Sequence, residues 1–322
     1  MKNKSVWQFI LDCLQRQSPV LLIAVVESHG ASPGKAGFKM AVAANGERRG
    51  TIGGGIMEMT WIERSAEILS HPDAPTSVRH LFHSRESKHE QSGLICSGSQ
   101  SVLFRVMTPK HLPDVENIVR VYNEFGVGTL QISATDFSFW PNRRNDVDCE
   151  FTLTSETDWK YKENLGVLDS VYVVGSGHVG LALTRIMSTL DFRVVVFDDR
   201  PEAETFAENT FAHGKVCTSY DKVGDHMLGT GREYVAVVTT AYKTDEAALL
   251  SIFQKNPKYI GLMGSDAKAD QIFADLSRAG VSNEILQRIH VPIGIPIASH
   301  TPEEIAISIA AEIIKERNDS VA

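Results

Sequence analysis

The most constraining stretch of this sequence runs from Val171 to Arg200. It opens on Val171-Tyr172-Val173-Val174, a short apolar strand rich in β-branched residues. Gly175-Ser176-Gly177-His178-Val179-Gly180 follows at once, with glycines spaced G-x-G-x-x-G. Leu181 to Leu190 then sets Leu183, Ile186, Met187 and Leu190 at helical spacing. A second apolar strand from Val194 ends at Asp198, about 18 residues past the last glycine, close to the roughly 20 of a dinucleotide fingerprint. In that pattern Gly175 permits the turn, Gly177 lets a diphosphate approach the backbone, and Gly180 lets helix and strand pack closely. His178 opens the helix, whose unpaired amides and dipole favour an anion. Asp198 is placed to accept hydrogen bonds from ribose hydroxyls, which favours NAD over NADP. The same order also suits a nucleotide-type fold that holds a different ligand.

Upstream, Val6 to Gln17 reads as an amphipathic helix ending before Ser18-Pro19. Val20 to Val26 is a continuous apolar strand, expected to be covered on both faces. A polar, glycine-rich loop spans Glu27 to Gly37, followed by a strand from Lys39 to Ala43 and a hairpin turn at Asn45-Gly46. Lys35 and Lys39 are candidates to meet an anion. Thr51-Ile52 leads into Gly53-Gly54-Gly55, and a helix is expected over Ile56 to Leu69 with Glu58 in its first turn. That corner is either a second anion cradle or a strand-to-helix turn that needs close backbone packing. Cys96 stands just before Gly98 and a strand at Ser101 to Val106. Neighbouring amides can stabilise a thiolate there, although a free cysteine is more often a small buried hydrophobe. Thr154 to Gly166 is polar and reads as a join, giving domains at 1–165 and 166–322. Beyond the fingerprint, Tyr234 to Thr239 and Tyr259 to Gly264 are strands. Asp245 reads as the N-cap of the helix between them, and Thr301-Pro302-Glu303-Glu304 starts a last helix.

The chain has 322 residues, enough for two cores. Its formal net charge of −8 offers no basic face for an extended nucleic acid, so no nucleic-acid partner is expected. Cys13, Cys96, Cys149 and Cys217 are sparse and unpaired in spacing, which fits a reducing compartment. His80, His83 and His89 lack zinc-motif spacing, so no metal site is expected. No apolar run approaches the ~20 residues of a membrane span. A cytoplasmic protein without a signal peptide is the expectation, and a homodimer follows from base rates.

Two ordered groups of residues carry a resemblance. Ser32-Pro33, Lys39-Met40-Ala41-Val42, Gly50-Thr51-Ile52-Gly53-Gly54-Gly55 with Glu58, and Cys96 resemble the N-terminal domain of the XdhC/CoxI family. The Gly175 to Gly180 loop, Asp198-Asp199-Arg200, Tyr259 to Ser265, His290-Val291-Pro292-Ile293-Gly294 and Thr301 to Ala306 resemble its Rossmann domain. The resemblance covers nearly the whole chain. It implies an α/β protein with an N-terminal mixed domain and a C-terminal Rossmann-like parallel sheet. It also implies a maturation factor, without catalysis of its own, for molybdenum hydroxylases such as xanthine dehydrogenase of purine catabolism. Such a factor binds the molybdenum cofactor (molybdopterin), protects it while a cysteine desulfurase supplies sulfur, and delivers it to the molybdenum subunit. Cys96 holds the family's Cys-Gly-Gly position, with Ser97 where a glycine is usual, and takes a cofactor or sulfur role. Thr240 and Tyr242 stand where members often carry histidines, while Asp245 is kept.

The cofactor-binding set is then Gly53, Gly54, Gly55, Glu58, Cys96, Gly175, Gly177, His178, Gly180, Asp198 and Asp245. A glycine-lined helix start suits the pterin's phosphate or an attached nucleotide, and a thiolate suits the soft metal end. The ligand is expected between the two domains, lined by Gly177 and by Gly53 to Gly55. The competing reading is a NAD-dependent oxidoreductase built on the second domain, although no Tyr-x-x-x-Lys pair or placed histidine supplies a hydride-transfer partner. A structural component with a vestigial nucleotide fold is a third.

Overall fold

The computed structural model describes residues 2–73, 75–82 and 98–319. Cys96 lies outside the described residues, as do Ser97, His83 and His89. The chain divides into two compact units, Met1–Leu168 and Asp169–Ala322.

In the first unit, α1 (Lys2–Gln15) precedes β1 (Val20–His29), β2 (Lys39–Ala43), β3 (Arg48–Gly50), α2 (Gly55–Leu69), β4 (Ser77–Phe82) and β5 (Ser99–Met107). Then come α3 (Leu112–Asn123), β6 (Val127–Ser133), β7 (Phe137–Pro141), β8 (Cys149–Leu153) and β9 (Trp159–Gly166). The first five strands form an antiparallel sheet in the order β3-β2-β1-β5-β4, and the last four a second in the order β7-β6-β9-β8. The apolar run of β1 is explained by burial on both faces. Val20, Leu22 and Val26 join a core with α1 and α3, while Leu21, Ile23 and Val25 face Met57 and Trp61 of α2. The Asn45-Gly46 turn closes β2 on β3, pairing Val42 with Arg48.

The stretch read as a polar join contains β9, an inner strand. Trp159, Tyr161 and Glu163 alternate inward, and Asn164 and Leu165 are buried as well. Buried polar residues gave this strand the composition of a linker.

The second unit is built from β10 (Ser170–Val174), α4 (His178–Ser188), β11 (Arg193–Asp198), α5 (Glu204–Ala207), β12 (Gly214–Cys217), β13 (Glu233–Val237), α6 (Tyr242–Phe253), β14 (Tyr259–Leu262), α7 (Asp266–Arg278), α8 (Asn283–Leu286), β15 (Ile289–His290) and α9 (Pro302–Asp319). Its six strands are all parallel, ordered β12-β11-β10-β13-β14-β15. Helices cover both faces. Val171, Val173, Val194 and Val196 pack with Leu183 and Met187 of α4 and Ile309 and Ile313 of α9. Tyr172, Val174, Val195 and Phe197 pack with Leu249 and Ile252 of α6 and Ile272 and Leu276 of α7. The strand order reverses at β10, so the crevice beyond the carboxyl ends of β10 and β13 is the place where such sheets bind ligands. Among the described residues no helix is long and apolar enough to cross a membrane.

Candidate functional site

The glycine loop leaves β10 at this reversal. Gly175 has φ +107, and a Cβ on it would lie 2.9 Å from the Val238 carbonyl group, so the turn must be glycine to pass β13. A Cβ on Gly180 would meet the Gly175 carbonyl oxygen at 2.1 Å. Gly177 is different. Its φ is −59, open to any residue, and a Cβ there would meet nothing within 4 Å. Neither the backbone nor the packing requires a glycine at 177. It stands at the N-cap of α4 and offers no capping side chain. The carbonyl of Gly177 accepts from Leu181 at 2.9 Å, while the first-turn amides from exposed His178 onward lack helical acceptors. The result is an uncapped, dipole-favoured anion position with space in front of it.

Asp198 occupies the end of β11, fully buried. Its Oδ2 accepts from the Ser176 amide at 2.8 Å and the Ser176 hydroxyl at 2.7 Å. Its Oδ1 accepts from Arg200 N and Nε, each at 3.0 Å, and Oδ2 accepts again from Arg200 Nη2 at 3.2 Å. Burial alone would raise this carboxyl, but the donors of Arg200 and Ser176 hold it well below the ordinary carboxylate range. The carboxylate expected to read ribose is thus spent on tying the glycine loop to β11, and the half-exposed Arg200 guanidinium faces solvent in its place.

Asp245 lies in the first turn of α6, which starts at Tyr242; the N-cap position belongs to Ala241. Its buried carboxylate accepts from Thr239 Oγ1 at 2.5 Å and pairs with Lys268 of α7. Lys268 also donates to the Met263 carbonyl at 3.1 Å. Burial pushes the Asp245 carboxyl up, against the pull of Lys268 and Thr239. A Cβ on Gly175 would lie 3.0 Å from Thr239 Cα, so this cluster borders the glycine loop. Thr239 and Lys268 are given no role by the sequence, and Ser176 and Arg200, although inside the quoted motifs, show their bonds to Asp198 only in the fold.

In the first unit, Gly53, Gly54 and Gly55 all have positive φ, at 127, 81 and 73. Glu58 Oε1 accepts from the Ile52 and Gly54 amides, both at 2.7 Å, and from the Thr51 hydroxyl. The chain's own carboxylate therefore holds the turn at the start of α2. Segments far apart in sequence meet at this corner. A Cβ on Gly53 would lie 2.8 Å from Gly34 N, and one on Gly98 would lie 2.8 Å from Ser32 N. Ser32 donates to Gln100 Oε1 at 2.9 Å, and Gln100 Nε2 reaches Met57 Sδ at 3.1 Å. The backbone two residues after Cys96 is thereby packed on the Ser32 loop. Lys39 does not face an anion site; it is buried against Glu163. His80 bonds Ser101 Oγ at 3.0 Å. A cavity of about 550 Å³ lies elsewhere in this unit, lined by Trp61, Arg64, His71, Arg79 and Phe104 among others, and touches none of the glycine motifs.

The chain resembles known proteins along its length. Residues 13–78 match the profile described as "XdhC and CoxI family", and residues 171–313 match the XdhC Rossmann domain. It is 24% identical to the uncharacterized protein YqeB of Escherichia coli over 95% of this chain, and spans 45% of that protein's length. It is 22% identical to a Bacillus subtilis protein named as a probable xanthine dehydrogenase component, over 94% of this chain and 95% of the relative. A crystal structure described as a xanthine dehydrogenase from Bacillus halodurans shares the fold, with a TM-score of 0.76 at 18% identity over 99% of this chain and 96% of its own. Two matching profiles in chain order, one in each unit, place this chain in the XdhC and CoxI family.

Proposed function

We propose that this protein is an accessory factor of xanthine dehydrogenase that binds the molybdenum cofactor, shields it while a cysteine desulfurase supplies sulfur, and delivers it to the molybdenum-bearing subunit. The observation that carries this reading is Gly177, a helix N-cap without a side chain where neither the backbone angle nor the packing requires a glycine. A phosphate-sized anion fits the uncapped amides of α4, and the phosphate arm of a pterin cofactor, or of a nucleotide, is such an anion. Gly177 leaves the room, the α4 amides donate, and Asp198 fixes the loop through Ser176. Thr239, with the buried Asp245–Lys268 pair behind it, packs against the glycine loop. In the first unit, Cys96 takes the sulfur-side role, and Gly98 packed on Ser32 holds the chain that follows it. When bound, the cofactor carries a dithiolene-held metal whose redox chemistry belongs to the client enzyme. The full-length likeness to a probable xanthine dehydrogenase component supports the same client.

Parallel titration of the full chain with purified molybdenum cofactor, NAD and NADP tests the reading, with reactivation of cofactor-free xanthine dehydrogenase as the second readout. The cofactor should bind, the loaded chain should activate the dehydrogenase, and Cys96→Ala should weaken both. A substrate-dependent change in nicotinamide absorbance without cofactor binding would replace this reading with the dehydrogenase one.

A further inference from the structure

Arg200 changes what the β11 end of the Rossmann crevice can recognise. In a parallel sheet of this order, a nucleotide with its phosphate on the α4 amides places its ribose at the end of β11. A free carboxylate there would accept from ribose hydroxyls. Here both Asp198 oxygens are occupied by five donors, and the carboxylate has no exposed surface. Arg200 lays its Nε and Nη2 edge on Asp198, and its side chain is 49% exposed. Among the described residues, no hydrogen bond or ion pair involves its Nη1. The other nearby charge is Asp199, half exposed, with Oδ1 at 3.8 Å from Arg200 Nε on the edge that Asp198 already holds. The outward edge of the guanidinium is the group left to meet a ligand, and a fork of N–H donors pre-set by a buried carboxylate matches phosphate geometry.

We infer that the second unit selects nucleotides whose ribose carries an additional phosphoryl group, and that Arg200 is the residue that determines this selectivity. The inference rests on the reading of the α4 amides as a phosphate cradle and does not depend on the pterin. It reverses the preference for NAD that Asp198 suggests from its place in the sequence.

The test is calorimetric titration of the full chain with 2′,5′-ADP and with 5′-ADP. One charge-assisted contact predicts that 2′,5′-ADP binds about tenfold tighter or better. Arg200→Ala should erase the difference, and Arg200→Lys should leave only part of it. Arg200→Ala removes the Nε and Nη2 donors and leaves buried Asp198 with the Ser176 donors and the residue-200 amide, so the alanine variant is read only where its melting curve shows it folded. Otherwise the wild-type ratio by itself decides. Equal binding, or tighter 5′-ADP, overturns the inference while leaving the phosphate cradle standing. Binding of neither probe overturns the inference and the nucleotide reading of the cradle.

Discussion

Lys39 sits on β2 with its side chain fully buried, its ammonium donating to Glu163 Oε1 at 2.6 Å and to the Gly37 carbonyl at 2.8 Å. Glu163 belongs to β9, so one ion pair joins the two sheets of the first unit, and Tyr161 adds a hydroxyl donor to Glu163 Oε2 at 3.0 Å. Breaking a buried pair strands the remaining charge. Lys39→Met should therefore cost roughly 3–5 kcal/mol by chemical denaturation, and combining it with Glu163→Leu should recover much of that. The same burial raises the Cys149 thiol to about 12, so Cys149 should resist alkylation at neutral pH while exposed Cys217 reacts. Two histidines give opposite pH signatures. His111 is pushed down to about 4 by burial, then by Arg105, whose Nη2 lies 3.2 Å from its Nε2. The folded state favours its neutral form, so its contribution is present above the ordinary value of 6.5 and is lost as pH falls from there toward about 4. His290 is raised by its bond to Glu312, so its contribution is complete below 6.5 and is lost as pH rises through the raised value. Melting temperature against pH should show the acid-side loss in the wild type and a flatter limb in His111→Gln; an unchanged limb would remove His111 from the explanation.

At the scale of elements, the glycine loop was legible because its signal is local: a strand, three spaced glycines and a helix start. Its energetics divide by position. Gly180→Ala forces a Cβ to 2.1 Å from the Gly175 carbonyl, between α4 and β10, and overpacking of this kind costs about 1–3 kcal/mol in a denaturation experiment. Gly177→Ala meets no such obstacle and should melt with the wild type. The strand β9 was not legible, because buried Glu163 and Asn164 read as solvent-facing residues until their partners Lys39 and Asn145 are known. Those partners lie 124 and 19 residues away in sequence, beyond any periodicity. The fate of Asp198 was hidden for a related reason. Spacing placed it at the strand end but could not say whether Arg200, two residues on, would turn back and fill it.

For the whole molecule, continuous apolar runs mark inner strands of both units, β1 in the first and β10, β11 and β13 in the second, while the meeting of Ser32, Gly53 and Gly98 follows only from the folded first unit. In the proposed function the α4 amides hold a phosphate in the space before Gly177. The most direct measurement titrates molybdenum cofactor into wild-type chain and into Gly177→Ala, with melting curves recorded on both. The two proteins should melt together, and cofactor affinity should be at least about tenfold weaker in the variant, as expected when a methyl group intrudes on a charge-assisted contact. Equal affinity in the two proteins, or no binding to the wild type, would contradict that placement of the phosphate.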